Sequence, residues 1–141
     1  MFSKACEYGI RAVIHIANAQ SRVSLKSVAQ AIDSPTAFTA KILQSLAQNR
    51  LIVSSKGPQG GYEMPEKLTT QISLAQIVEA IDGQNIYNAC GLGLAQCNAK
   101  KPCPVHFKFK AIRDELKAML ESTSVAELSQ GLDRGEFFLT R

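Results

Sequence analysis

The sequence predicts a mainly α chain with a small β-hairpin, a winged helix-turn-helix followed by a long C-terminal dimerisation helix. Three observations predict it. Two short helical segments flank the break Asp33-Ser34-Pro35-Thr36, and a glycine-rich turn, Lys56-Gly57-Pro58-Gln59-Gly60-Gly61, comes directly after them. Further on, Val105, Phe109, Ile112, Leu116 and Met119 recur at steps of four, three, four and three. That spacing averages 3.5 residues, the period of a helix packed along another helix. At 141 residues, 45% apolar and 20% charged, the chain can bury one core with an extension.

Ser3 to Asn18 reads as a helix, with Ala5, Tyr8, Ala12 and Ile16 on one face beside Gly9 and Val13. Ser24 caps a short second helix whose apolar face is Leu25, Val28, Ala29 and Ile32. After the break, Ser34 is the expected cap and Pro35 the first turn of a third helix, with Phe38, Ile42, Leu43 and Leu46 buried and an end near Asn49. The period then changes: Leu51 to Ser55 and Tyr62 to Met64 are β-rich runs joined by turn residues, the layout of a wing. A capping box, Ser73 to Gln76, opens a helix with Leu74, Ile77, Val78 and Ile81 on one face, and Asp82-Gly83 closes it. A cysteine loop, the 3.5-residue stripe and a second capping box, Ser124 to Glu127, complete the order; the tail from Gly131 carries weak signals.

The net charge of +4 is unevenly spread. From Met1 to Leu68, Lys4, Arg11, Arg22, Lys26, Lys41, Arg50, Lys56 and Lys67 face only Glu7, Asp33, Glu63 and Glu66, and a second basic stretch runs from Ala99 to Leu120. A polyanionic partner suits the N-terminal half. No membrane span or signal peptide is expected, since Ala12 to Ala19 is short and carries His15 and Asn18. Cysteines without a secretory signal point to a reducing, cytoplasmic setting. No Gly-x-Ser-x-Gly, P-loop or dinucleotide fingerprint is present, so an enzyme is not expected.

A helix-turn-helix reads double-stranded DNA by laying its second helix in the major groove, with short polar side chains toward bases and cations on phosphates. The outward positions expected on the third helix are Thr36, Ala37, Thr39, Ala40, Lys41, Gln44 and Ser45, joined by Ser24 at the second helix and by Lys56, Pro58 and Gln59 at the wing tip. The middle of the chain carries different chemistry. Cys90, Cys97 and Cys103 are separated by six and then five residues, with His106 just beyond. Three chemistries answer to such a loop: an iron-sulfur cluster, a structural zinc, or a thiol-disulfide switch. The wide spacing counts against zinc. Cys6 and His15, on the first helix, read as core residues.

The first-helix motif Tyr8-Gly9-Ile10-Arg11-Ala12, the helix Phe38 to Leu46, the wing Ser54 to Tyr62 and the three-cysteine loop together resemble one family. It is the bacterial winged-helix regulator family of the iron-sulfur cluster regulator IscR and the nitric-oxide-sensing repressor NsrR. The resemblance runs to about Leu132. It implies a homodimeric transcriptional regulator that binds an operator in double-stranded DNA. It also implies a 2Fe-2S or 4Fe-4S cluster on Cys90, Cys97 and Cys103, whose fourth ligand is either His106 or Glu7 of the other subunit. Ala40 stands where IscR carries a discriminating glutamate, so the operator sequence is not inherited. The expected organisation is a DNA-binding domain over residues 1–68, a linking helix and cluster loop over 69–104, and a dimerisation helix and tail over 105–141.

Overall fold

A computed structural model describes residues 1–139. Its first helix, α1 (Lys4–Ala19), is central and packs on α2 (Leu25–Ala31), α3 (Thr36–Gln48), α5 (Leu74–Asp82) and α8 (Val125–Asp133). Ser3 caps α1 by accepting a hydrogen bond from the Cys6 amide, and Asp82, at the end of α5, accepts from both the Ser3 amide and the Ser3 hydroxyl. A carboxylate there complements the positive end of α1. Gly9 lets α5 cross closely: a Cβ at this position would run into the Ile81 side chain. The core between these helices is apolar, with Val13, Ile16, Val28, Leu43, Leu46, Ile77, Val78, Leu120 and Val125 fully buried.

The hairpin consists of β1 (Val53–Ser55) and β2 (Gly61–Glu63), antiparallel with Ser54 opposite Tyr62. It is not isolated. Val23 and Tyr62 exchange two backbone hydrogen bonds of 2.8 Å, which ties the hairpin to the residues entering α2. Gly61 makes this possible, because a Cβ there would strike the Val23 carbonyl.

Four details differ from the sequence expectation. Leu51 and Ile52 are not strand: both are buried, and the Leu51 amide donates to the Leu46 carbonyl, so they plug the end of α3. The cap of α3 is Pro35 rather than Ser34, whose buried hydroxyl has no partner. Two short helices were not expected, α4 (Glu66–Gln71) and α6 (Asn85–Asn88). Finally, the Ser124 hydroxyl accepts from the Glu127 amide to cap α8, whereas the reciprocal half of a capping box is present only at Ser73 and Gln76.

The chain then returns on itself. Helix α7 (His106–Ser122) packs on α5 and α6, and a bridge between Ser73 and Ser124 joins its end to the start of α5. Helix α8 lies against α1 and α4. Along α7, Leu120 is fully buried and Leu116 half-buried, while Phe109, Ile112 and Met119 are 38%, 61% and 48% exposed. The apolar stripe therefore lies on the rim of the chain's own core, with its outer edge bare.

Candidate nucleic-acid interface and cysteine site

Helices α2 and α3 and the hairpin surround an open groove of about 720 Å³, lined by Ser24, Ala40, Gln44, Ser54 and Lys56 among others. Thr36, Ala37, Lys41 and Gln44 are exposed on α3, and Lys56, Pro58 and Gln59 at the hairpin tip. Ser24 is exposed too, although its hydroxyl is engaged as the α2 cap, accepting from the Ser27 amide. Ala40 is half-buried at the floor of the groove. Among the described residues Lys26, Lys41 and Lys56 have no acidic partner within salt-bridge distance. Uncompensated cations on α2, α3 and the hairpin tip are available to phosphate.

Two positions expected to point outward do not. Thr39 is fully buried, and its hydroxyl donates to the Pro35 carbonyl at 2.9 Å, because it lies on the same side of α3 as Ile42, Leu43 and Leu46. Ser45 is half-buried and donates to the Ala80 carbonyl at 3.3 Å, so it faces α5. Arg22 was not singled out from sequence. It pairs with Glu63 at 3.3 Å and donates to the Gln59 carbonyl at 3.2 Å, holding the hairpin tip against the approach to α2.

In the cysteine loop, Cys90, Cys97 and Cys103 are free and half-buried. Cys97 is the best connected: its sulfur lies 3.3 Å from His106 Nδ1 and accepts from Arg113 Nη2 at 3.2 Å. Arg113 also donates to the Ala89 carbonyl, so one guanidinium pins the start and the middle of the loop to α7. Hydrogen bonds from the Leu92 and Leu94 backbone hold the Cys90 thiol below the ordinary cysteine value, against some desolvation, with help from the Cys103 side chain and the Arg113 charge. Gly91 packs against the Phe109 ring, where a Cβ would lie 2.7 Å from the ring.

His106 is 5% exposed, and with Nδ1 on Cys97 its Nε2 is buried without a partner. Either tautomer leaves that nitrogen unsatisfied. Tyr87 on α6 lies elsewhere, under Lys117 further along α7, buried with an unpartnered hydroxyl that burial, and then Glu79, push above the ordinary tyrosine value. The donor set suits a soft metal centre in kind: three thiols and an imidazole with a spare nitrogen. It is not gathered as expected, since no three or more His, Cys, Asp or Glu side chains converge on one point among the described residues. The donors stand instead as two pairs, Cys97 with His106 and Cys90 with Cys103.

The other candidate ligand, Glu7, lies in the first turn of α1, exposed and paired with Lys4 at 3.2 Å. Cys6 is fully buried, and desolvation, followed by Asp82, pushes its thiol up to about 12. That matches a core role.

Comparison with known proteins agrees with this architecture. A family described as "Iron-dependent Transcriptional regulator", Rrf2, matches residues 2–131. The Mycobacterium tuberculosis chain Rv1287, which carries an HTH-type transcriptional regulator name, is 31% identical over 132 residues, covering 92% of this chain and 81% of that one. IscR of Cronobacter sakazakii is 25% identical over 123 residues, 86% of this chain and 75% of that one. Among solved structures, CymR, the global cysteine regulator of B. subtilis, superposes with a TM-score of 0.74 at 22% identity, covering 92% of this chain and 96% of that one. T. potens IscR superposes with the same TM-score at 18% identity, covering 99% and 93%. A winged helix-turn-helix fold, relatives named as regulators and a family match spanning nearly the whole length lead to one assignment: the chain is not an enzyme but a member of the Rrf2 family of transcriptional regulators.

Proposed function

We propose that this chain is a cytoplasmic, homodimeric regulator whose affinity for a double-stranded DNA operator is set by an iron-sulfur cluster, 2Fe-2S or 4Fe-4S, on Cys90, Cys97 and Cys103. The observation that carries the cluster reading is His106: a buried imidazole whose Nε2 lacks a partner sits at the foot of a loop holding three free thiols. This favours His106 of the same chain as fourth ligand over Glu7 of the other subunit, whose carboxylate already has Lys4. When bound, such a cluster supplies soft, redox-active chemistry that responds to oxidants and to iron supply.

The protein's own part is positional. Arg113 and the α6–α7 packing fix where the loop closes on α7, and the exposed stripe of Phe109, Ile112 and Met119 on the same helix supplies the two-fold interface. Loading the loop shifts the dimer only to the extent that the loop binds its cluster differently in two dimer arrangements. Residues 1–68 then read DNA through Thr36, Ala37, Lys41, Gln44 and the hairpin, 69–104 hold the cluster, and 105–141 carry the two-fold.

A thiol-disulfide switch on the same scaffold is the second reading. It is favoured by the paired arrangement of the thiols and by the Arg113 and His106 contacts to Cys97. Anaerobic purification with quantitation of iron and acid-labile sulfide separates the two. A brown protein that loses both elements in single Cys→Ala variants of the loop and keeps them in Cys6→Ala supports the cluster. A colourless protein whose operator binding responds reversibly to a dithiol reductant replaces it with the switch, and one holding zinc alone replaces both with a zinc-stabilised module.

A further inference from the structure

Away from the groove and from the cysteine loop, a cavity of about 410 Å³ opens between the end of α1, the residues leaving β2 and the last turns of α8. That volume lies within the range of pockets that take small molecules. Asn18, Glu63, Glu66, Ser129 and Asp133 line it, and no lysine or arginine does. Glu63 is engaged by Arg22, whereas Glu66 and Asp133 have no basic partner within salt-bridge distance among the described residues.

Two further observations point to a ligand. Ser129 is 8% exposed, and its hydroxyl has no hydrogen-bond partner; the Asn18 Oδ1 is likewise buried and unpartnered. Buried polar atoms left unpaired cost free energy that a bound donor would offset. In addition, α1 and α8 both end at this cavity, and neither has a basic residue in its last turn, so the negative ends of both helices add to the two carboxylates.

We propose that this cavity binds a small organic cation carrying an ammonium or guanidinium group. Its N–H donors meet Asn18 Oδ1 and the Ser129 hydroxyl, and its charge lies between Glu66 and Asp133. An anion would meet two unneutralised carboxylates and two helix C-termini. An apolar ligand would leave both orphaned oxygens unmet.

The test uses the purified full-length chain, titrated calorimetrically with 1,4-diaminobutane and with agmatine. 1,4-Butanediol serves as the neutral analogue, and sodium chloride keeps the ionic strength constant. At least one cation should bind about tenfold or more tightly than the diol, since a charge-assisted hydrogen bond is worth about that factor. Glu66→Gln and Asp133→Asn should each weaken it about fivefold or more, and amide NMR shifts should cluster at Ala126, Ser129 and Gln130. Ala126→Phe, which projects a ring into the cavity, should weaken binding; should that variant not fold, the two carboxylate variants, both at exposed positions, decide the matter. Cations that bind no better than the diol, or binding indifferent to both carboxylate substitutions, would overturn the assignment.

Discussion

Replacing Ile112 by Glu separates assembly from folding. In the single chain Ile112 is 61% exposed, so a glutamate there stays in water and should change the subunit's own stability by no more than about 0.5 kcal/mol. In a two-fold interface built on the α7 stripe the same side chain is covered twice, once from each subunit. Losing two buried isoleucines at about 1.5–3 kcal/mol each removes about 3–6 kcal/mol of association energy, a weakening of the dimer by about a hundred-fold to ten-thousand-fold. Desolvating two like charges adds to this. Sedimentation equilibrium over a range of concentrations measures the association, and thermal unfolding of the same samples checks the fold. Leu116→Glu is a poorer test, because Leu116 is half-buried in the subunit's own core and would confuse the two effects. A dimer constant unchanged in Ile112→Glu would refute the placement of this stripe at the two-fold.

Lys56→Ala should weaken operator binding nearly uniformly across sequences and flatten its salt dependence by about one counterion; titrations at several salt concentrations give the slope, and an unaltered slope takes Lys56 off the DNA. Of His106→Ala and Glu7→Ala, the first should perturb the visible spectrum of anaerobic protein and the second leave it intact; the reverse result assigns the fourth ligand to the other subunit. Cys6 carries a pH prediction. Burial pushes its folded thiol up to about 12 from 9.0 for the free side chain, so above pH 9 the unfolded chain binds fewer protons than the folded one. Stability should therefore fall by up to about 1.4 kcal/mol per pH unit as pH rises from 9 toward 12, and be indifferent to this group below 9. Urea unfolding of the chain and of Cys6→Ala across that range measures the difference, and parallel curves would show that Cys6 is not the group responsible.

The helices that carry the fold were legible because they have long amphipathic faces or side-chain caps: Ser24, Ser73 and Ser124 each accept from an amide three residues on. The two short helices were not. Asn85–Asn88 is one turn with asparagine at both ends and has no period to detect, while Glu66–Gln71 offers only Pro65 followed by Glu66 as a start signal. Leu51 and Ile52 misled in the other direction, because an apolar pair that plugs a helix end has the same composition as a short strand. At the cysteine loop the thiols and His106 were readable from spacing, but Arg113 was not, since its role depends on the loop folding back over α7. One signal was present: His106, Arg113 and Leu120 are spaced by seven, which places all three on one side of the helix. Thr39 and Ser45 show the opposite limit. On a helix with a broad buried face, small polar residues next to apolar ones turn inward when a backbone carbonyl satisfies them, and composition alone does not reveal it.

The double hydrogen bond between Val23 and Tyr62, reinforced by Arg22, makes the hairpin an extension of the strand-like entry to α2. A hairpin held only at its own base could tilt independently of the helices; one stitched along its outer edge cannot do so without breaking that seam. In the proposed DNA-bound dimer, each subunit therefore presents a stamp of fixed relief. The degrees of freedom left for regulation lie in the distance and angle between two such stamps. A signal of this kind would be read in the phasing of the two halves of an operator along the duplex, and sequence preference within one half would stay constant whatever the state of the cysteine loop.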